Sequence, residues 1–339
     1  MNNSHYYTHT DLALEIQEDL LKDKQEQGYK VKNQEYYNHR IRETTITIKT
    51  SQAARLFGKF PGTYVTLEGV DLSENDGGFH EEMSRCIALN LEKLLGKSRK
   101  ILIVGLGNRN IMADALGPLV VDHLMITRPV FCRLLSADGD APVSCREGIL
   151  RENAHKLQDT YNSSDPVRIS SAIAPGVMAQ TGMETVEILR GIIGQTSPEK
   201  IIVIDALAAR NLDRLGSTVQ LSSTGIAPGS GVGNRRKEIS QAALGIPVIA
   251  VGVPTVISIP SVASDILAAC ADHMSEAVRE ELERLTGTES EDHYRRLASI
   301  LDRRLFGFTM TPKDVDEAVH RISFTISEGI NQVIGSIPS

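Results

Sequence analysis

The hydrophobic pattern of the chain predicts strands and helices in alternation, most clearly between residues 100 and 256. Continuous runs of Ile, Val, Leu and Ala are typical of strands buried on both faces of a sheet. Three such runs predict core strands at 101–105, 200–210 and 246–256. Shorter patterns predict strands at 44–50, 62–69 and 218–223, and at the start of 168–185. This alternation predicts an α/β fold with a mainly parallel twisted sheet, helices on both faces and a helical C-terminal part.

Apolar residues spaced three and four apart predict the helices that cover this sheet. They give helices at 11–24, 80–95, 115–125 and 185–193, and C-terminal helical patterns at 264–285, 290–304 and 312–333. A short helix is predicted from Ser51 to Phe57, with Ser51 as its N-cap. The polar, turn-rich segment 137–167 is predicted to be a surface insertion with one helix near 150–160.

Composition and net charge argue against several classes of protein. The net charge is −7, which argues against a surface that binds the DNA backbone, because such surfaces carry clustered cations. No run of 18 apolar residues predicts a membrane span, and the N-terminus lacks the basic and apolar regions of a secretion signal. The four cysteines are scattered, so we expect free thiols in a reducing cytoplasm.

The first core strand ends in a glycine turn, Gly105-Leu106-Gly107-Asn108, which resembles the start of a dinucleotide-binding motif. Asn110 stands where the third glycine of that motif belongs, and no acidic residue ends a second strand about 20 residues on. The helix also begins late, so the turn does not deliver its N-terminus to a phosphate. A nucleotide-binding, Rossmann-like protein is therefore the less favoured alternative.

Two carboxylates are the main candidates for chemistry. Asp114 follows the first core strand and Asp205 ends the second, so both are expected at the same edge of the sheet. Two carboxylates at neighbouring strand ends can share a proton, which lets one act as base toward water and the other as acid toward a leaving amine. The same pair could hold a divalent metal. For Asp114 alone, an N-cap of the following helix explains the residue as well.

A glycine-rich loop at 225–234 is followed by the basic run Arg235-Arg236-Lys237. Glycines such as Gly231 and Gly233 let a backbone approach a ligand, and the basic run is either a solvated turn or a pocket for an acidic group of a substrate. The sequence has no H-E-x-x-H or G-x-S-x-G motif and no histidine pair spaced for zinc. No cofactor is therefore predicted, and a metal-dependent peptidase that uses the same two carboxylates stays an alternative.

Several stretches together resemble the germination proteases of spore-forming bacteria, a family similar in fold to hydrogenase maturation proteases. They are THTDLALE (8–15), ILIVGLGNRNIMADALGPLVVDHL (101–124), PGVMAQTGMET (175–185), IDALAAR (204–210), TGIAPGSGVGNRRKEIS (224–240) and GIPVIAVGVPT (245–255). The resemblance implies an endopeptidase of the spore core that degrades small acid-soluble spore proteins, with Asp114 and Asp205 as its catalytic aspartates. It also implies a homotetramer that is made as an inactive zymogen. The segment 137–167 departs from the family, because it is longer than the usual connection.

The resemblance further implies a site of self-cleavage. Family substrates carry a sequence of the type T-E-(F/I)-A-S-E, cut after the acidic residue, and Thr10–Glu15 reads T-D-L-A-L-E. We therefore expect cleavage between Asp11 and Leu12, with residues 1–11 as a propeptide and 12–339 as a single peptidase domain. The first ten residues have no packing pattern of their own, which agrees with that division.

Overall fold

A computed structural model describes residues 10–22, 28–129, 168–229, 236–271, 305 and 308–335. Its strands are β1 Tyr29–Tyr36, β2 Ile41–Ile48, β3 Gly62–Glu68, β4 Lys100–Gly105, β5 Ile169–Ile173, β6 Lys200–Ala209, β7 Thr218–Ser222, β8 Val248–Ser258 and β9 Thr309–Met310. Its helices are α1 Ala13–Lys22, α2 Ser51–Phe57, α3 Gly77–Leu95, α4 Leu116–Asp122, α5 Met178–Thr181, α6 Thr185–Thr196, α7 Gln241–Leu244, α8 Ile259–Ala271 and α9 Val315–Ile334.

The described strands form one sheet in the order β1-β2-β3-β7-β8-β6-β4-β5, with β9 paired to β8. Strands β5, β4, β6 and β8 run parallel to one another, and β8, β7, β3, β2 and β1 pair antiparallel. The predicted α/β class with a parallel core is confirmed. The antiparallel half extends that core on one side, and the carboxyl ends of β4, β6 and β8 meet at one edge.

Alternate side chains of the parallel strands enter two separate cores, as the period of a strand requires. Ile101 and Ile103 of β4 pack with α3 and α9 on one face of the sheet. Leu102 and Val104 pack with α6 on the other face. Because both faces are covered, the strand residues are almost all apolar, which is the pattern that predicted them.

A third core joins the N-terminal helix to the antiparallel half. Helices α1 and α2 pack on β2 and β3 through Ala13, Ile16, Leu20, Ile46, Ile48, Ala53, Phe57 and Tyr64. Helix α1 is therefore anchored to the body of the protein, and Asp11, two residues before it, bonds to Ala208 of β6.

Four local predictions need correction. The N-cap of α2 is Thr50, whose hydroxyl accepts the N–H of Ala53, and Ser51 is already helical. Strand β1 was not predicted, because its exposed, polar edge position leaves no apolar alternation. Helix α4 begins at Leu116, after a 3₁₀ turn at Met112–Asp114, and ends at Asp122 rather than at 125. Helix α8 begins at Ile259 rather than at 264. The insertion 137–167 and the helix 290–304 lie outside the described residues.

Two predictions on composition can be compared with the described residues. Cys86 and Cys270 are free thiols. Among the described helices, none combines the length and the apolar character that a membrane crossing requires.

Candidate active site

The glycine turn after β4 carries Asp114 to the edge of the sheet. Gly107 has φ +112°, and a Cβ built there would lie 1.9 Å from the backbone oxygen of Asp114. A Cβ on Gly105 would lie 2.2 Å from the carbonyl oxygen of Gly117, at the start of α4. Only glycine allows these close approaches. The turn therefore folds back on the 3₁₀ turn that contains Asp114.

Asp114 is held by this turn and does not cap the helix. Its Oδ2 accepts the backbone N–H of Asn108 at 2.8 Å. The N-cap of α4 is Ala115, which has no side-chain capping bond, so the capping interpretation of Asp114 is wrong. The hydroxyl of Thr255, from β8, donates to the carbonyl of Ala113 at 2.6 Å and fixes the turn from the other side.

Asp205 lies within β6 and is only 6% exposed. Its Oδ1 accepts the N–H of Ala206 at 3.0 Å. Burial raises the pKa of Asp205 well above its usual range, and the negative charges of Asp114 and Asp11 raise it further, against the opposing charge of Arg236. The carboxyl of Asp205 therefore keeps its proton to a higher pH than an ordinary aspartate.

The two predicted aspartates share one cavity of about 400 Å³ at the carboxyl ends of β4, β6 and β8. Burial also raises the pKa of Asp114, and the N–H of Asn108 and the charge of Arg236 oppose that rise. The pKa of Asp205 is raised further than that of Asp114, so Asp205 is the one of the two that keeps its proton to the higher pH. Both carboxyl groups line the same cavity.

The residues of the predicted basic pocket separate in the structure. Arg236 lines the aspartate cavity. Lys237 forms an ion pair with Glu187 at 3.5 Å, and both side chains are more than half exposed. Arg235, Gly231 and Gly233 lie outside the described residues.

The predicted cleavage junction lies in the same cleft. Asp11 donates its N–H to the carbonyl of Ala208 at 3.0 Å, and its Oδ2 accepts the N–H of Ala208 at 2.9 Å. Leu12 is fully buried and packs against Leu207 and Ala209 of β6. Asp11 also lines the aspartate cavity, so the Asp11–Leu12 bond sits at the sheet edge where Asp114 and Asp205 meet.

A bulge in the sheet lies beside this junction. The register of β6 against β8 shifts between Leu207 and Ala208, so that Leu207 pairs with Pro254 and Ala208 with Val256. Bulges of this kind occur next to active sites, where they redirect groups out of the ladder. The extra residue is Thr255 of β8, whose hydroxyl donates to Ala113, whereas the backbone of Ala208 is open to Asp11 because the pairing of β6 with β4 ends at Ile204. Sequence reasoning missed both residues, although Pro254 inside a strand run was a signal for a bulge.

Two further side chains form hydrogen bonds to the junction, and the sequence analysis did not predict either of them. The carbonyl oxygen of Asp11 accepts from Lys59 Nζ and from Gln220 Nε2, each at 2.9 Å. Gln220 comes from β7, and Lys59 follows α2. Neither residue had a sequence signal, because Gln220 lies in the segment TVQLSS (218–223), where polar and apolar residues are mixed.

Glu15 fixes the segment on the other side of the bond. It is fully buried, and its carboxylate accepts the N–H of Arg210 at 3.0 Å and that of Asn211 at 2.9 Å. Arg214 lies 3.6 Å away, and the hydroxyl of Thr10 donates to the same carboxylate. The sequence from Thr10 to Glu15 is thus held at both ends and at the bond between them.

Comparison with known proteins decides the family. The family model described as germination protease matches residues 8–144 and 134–288. This chain belongs to the germination protease family. It is 36% identical to the germination protease of Caldanaerobacter subterraneus over 95% of this chain and 92% of the relative. The germination protease of Clostridium perfringens is 35% identical over 96% and 94%, and that of Bacillus cereus 36% over 98% and 94%.

A solved structure is also similar. The hydrogenase maturation protease HycI of Thermococcus kodakarensis is 16% identical, with a TM-score of 0.27, over 49% of this chain and 80% of that one. At these values the likeness decides nothing about fold or function. Membership of the germination protease family establishes a peptidase, and therefore a hydrolase, with a role in germination. In the described part of this germination protease, no group of three or more His, Cys, Asp or Glu side chains is placed to hold a metal ion.

Proposed function

We propose that the chain is an endopeptidase of the spore core that cuts small acid-soluble spore proteins after an acidic residue. We further propose that it is made as a homotetrameric zymogen that cleaves its own Asp11–Leu12 bond. One observation carries this proposal: the junction that copies the substrate sequence lies against the cavity lined by Asp114 and Asp205.

The chemistry that we propose is hydrolysis by the two carboxyl groups. Asp114 takes a proton from a water molecule as its oxygen attacks the carbonyl carbon, and Asp205 donates its proton to the leaving nitrogen of Leu12. The products are a new carboxyl group on Asp11 and a new amine on Leu12. No covalent intermediate with the enzyme is needed. The raised pKa of Asp205 supports this assignment, because its carboxyl retains the proton that it must donate.

The contacts of the junction also account for the inactive zymogen. Asp11 occupies the backbone groups of Ala208, and Leu12 fills the apolar site formed with Leu207 and Ala209. A substrate peptide needs those same positions, so the propeptide competes with it until the chain is cut. Of the two described residues of the basic run, Arg236 is better placed than Lys237 to influence an acidic side chain, since it lines the cavity beside Asp11.

The test compares self-cleavage and cleavage of a T-E-I-A-S-E peptide in the wild type, Asp205→Asn and the control Asp213→Asn, whose aspartate is exposed. N-terminal sequencing should give Leu12 as the first residue, and light scattering should give the mass of a tetramer. Full activity of Asp205→Asn would refute the mechanism, and another N-terminus would refute the junction.

We propose that no metal or other cofactor takes part, and two measurements address the alternatives. Metal analysis and a chelator titration on the matured protein test a metal-dependent peptidase that uses the same carboxylates. Loss of cleavage with EDTA, restored by a divalent metal, would favour that alternative. A thermal shift with NAD(P) would favour the nucleotide-binding one.

A further inference from the structure

We propose that Lys59 and Gln220 form the oxyanion-binding site of this enzyme, both for its own Asp11–Leu12 bond and for the equivalent bond of a substrate. The inference rests on the proposed function, because it assumes that this bond is the one that is cut. It assigns a catalytic role to two residues that lie outside the aspartate pair.

The geometry is that of a pair of donors converging on one carbonyl oxygen. Lys59 Nζ and Gln220 Nε2 both lie 2.9 Å from the oxygen of Asp11. Donors at 2.7–3.1 Å from a reacting oxygen are the usual arrangement in enzymes that stabilise a tetrahedral intermediate. The ammonium of Lys59 and the amide of Gln220, from two different parts of the chain, thus meet on this oxygen.

A second hydrogen bond orients Gln220, and Lys59 lies near an aromatic ring. The Oε1 of Gln220 accepts the N–H of Ala13 at 2.7 Å, which orients its Nε2 toward the carbonyl and ties it to both sides of the scissile bond. The ammonium of Lys59 lies 5.9 Å from the ring centre of Tyr64. Burial lowers the pKa of Lys59, and the negative charges of Asp11 and Glu15 oppose that decrease.

The donors and the aspartates approach the bond from different cavities. Lys59 and Gln220 line a cavity of about 500 Å³, and neither lines the cavity that holds Asp114 and Asp205. Asp11 lines both cavities, so this residue lies between the donors and the aspartates. Water activated on the aspartate side can therefore attack the carbon, while the oxygen faces the donors.

The electron balance of the step follows from this placement. As the water oxygen bonds to the carbonyl carbon and Asp114 takes its proton, the π electron pair moves onto the carbonyl oxygen. Lys59 and Gln220 then hold a full negative charge in place of a carbonyl dipole. When the carbon–nitrogen bond breaks, the pair returns and Asp205 protonates the nitrogen. The donors thus bind the intermediate more tightly than the substrate, which is the requirement for catalysis.

The competing explanation is that the two residues have only a structural role. Measurements on the matured protein distinguish the two explanations. If Lys59 and Gln220 only anchor the propeptide, both lose their contact with the carbonyl of Asp11 once residues 1–11 have left, and Gln220 keeps only its hydrogen bond to the N–H of Ala13. If they bind the oxyanion, they act equally on a peptide that is cut by the matured enzyme. The matured form is therefore the informative one.

The experiment uses full-length chains with Lys59→Met or Gln220→Leu, matured by a trace of tagged wild-type protein that is then removed. The matched controls are Lys49→Met and Gln52→Leu, which change exposed residues. With the T-E-I-A-S-E peptide, each test variant should lose about 10²- to 10³-fold in kcat, the effect of removing one oxyanion donor. We expect KM to change less than threefold, and Lys59→Arg to recover part of the loss because it keeps a cationic donor.

A binding measurement keeps the proposal testable if one of these variants folds poorly. Gln220→Glu replaces the donor by an acceptor of the same shape. Its affinity for a phosphinate analogue of the peptide, which copies the tetrahedral intermediate, should fall by the same factor as kcat, with unchanged affinity for the uncut peptide. Equal losses for both ligands would overturn the proposal.

The aspartate variant separates this inference from the proposed function. If Lys59→Met and Gln220→Leu cleave the peptide at the wild-type rate while Asp205→Asn is inactive, the oxyanion assignment is wrong and the proposed function stands. If the wild-type protein cleaves neither itself nor the peptide, the proposed function is wrong and the oxyanion assignment is overturned with it.

Discussion

Glu15 and Asp205 are both buried carboxyl groups near the end of β6, yet their surroundings are opposite. Glu15 is 0% exposed and receives two backbone N–H groups, the hydroxyl of Thr10 and a nearby guanidinium. Asp205 is 6% exposed, receives the N–H of its own neighbour Ala206, and lies close to two other carboxylates. A buried charge with donors around it stabilises a fold, whereas one beside like charges does not.

These different surroundings distinguish Glu15, a carboxylate with a structural role, from Asp205, a carboxyl group suited to proton transfer. Donors around Glu15 favour its charged form and tie the N-terminal segment to the sheet. The like charges near Asp205 favour its neutral form, which costs stability at the pH where it must ionise. Replacing each by its amide isostere should therefore shift stability in opposite directions. The variants below test this contrast between Glu15 and Asp205, and the variant with the largest expected effect comes first.

Asp205→Asn should abolish cleavage and stabilise the protein. We expect a loss of at least about 10³-fold in the rate of self-cleavage, because the general acid is gone. At pH 8 the Tm should rise, because a buried group that resists ionisation is replaced by a neutral one. Each kcal/mol of added stability corresponds to about 2–4 °C in Tm for a protein of 150–250 residues. Gel analysis and calorimetry measure the two effects. A lower Tm would contradict the contrast.

Glu15→Gln should destabilise the protein. The amide keeps the size of the side chain but presents an NH₂ group to the backbone donors of Arg210 and Asn211 and removes the charge beside Arg214. An unsatisfied buried group costs about 1–3 kcal/mol, so the free energy of unfolding of the uncut chain should fall by that amount. Denaturant unfolding measures it, with Glu81→Gln as an exposed control. An unchanged free energy would show that Glu15 is not the structural anchor.

The stability of the wild type should depend on pH through Asp205. Its folded-state pKa lies above the ordinary value of about 3.9, so the folded protein binds this proton more tightly than the unfolded chain. The resulting stabilisation is present below that ordinary value and is lost as pH rises through the folded-state pKa. The Tm of the wild type should therefore drop relative to Asp205→Asn as pH increases. A constant difference from pH 4 to 9 would contradict the shift.

The smallest effects should come from the basic residues beside the cleft. Arg236 lowers the pKa of both Asp114 and Asp205, so Arg236→Met should move the pH profile of cleavage to higher pH. Lys237→Met breaks only an exposed ion pair and should change stability by about 1 kcal/mol or less. Peptide cleavage measured across pH compares the two. A larger shift for Lys237→Met would reverse the order that the structure suggests.

The sequence was sufficient for the features that depend on periodicity. The core strands and α3 follow from apolar runs, because a sheet that is covered on both faces leaves no alternative pattern. Asp205 was predicted to be functional for the same reason, because a carboxylate is unusual in an apolar strand. Asp114 was placed at the correct edge, although its role as a cap was left open.

The rest depends on contacts between distant parts of the chain. Lys59 and Gln220 are 161 positions apart, and only the antiparallel half of the sheet brings them to one carbonyl. Ala208 carries no side-chain signal, since its backbone bonds to Asp11 beyond the end of the pairing with β4. Strand β1 has no apolar face that a pattern could detect. A periodic sequence pattern predicts which residues are buried. It does not predict which residues of distant elements lie opposite one another, and these contacts depend on that.

The start of α1 directly after the scissile bond has a consequence for the direction of the reaction. Leu12 is fully buried and Ala13 opens the helix, so hydrolysis creates an ammonium at the positive end of a helix dipole. The new carboxylate of Asp11 forms at the oxygen that Lys59 and Gln220 hold, and in the proposed mechanism these donors stabilise its charge. Only the new amine therefore arises where the local field opposes its charge. Once the amine of Leu12 is protonated, this repulsion favours its displacement from the position that it holds in the intact chain.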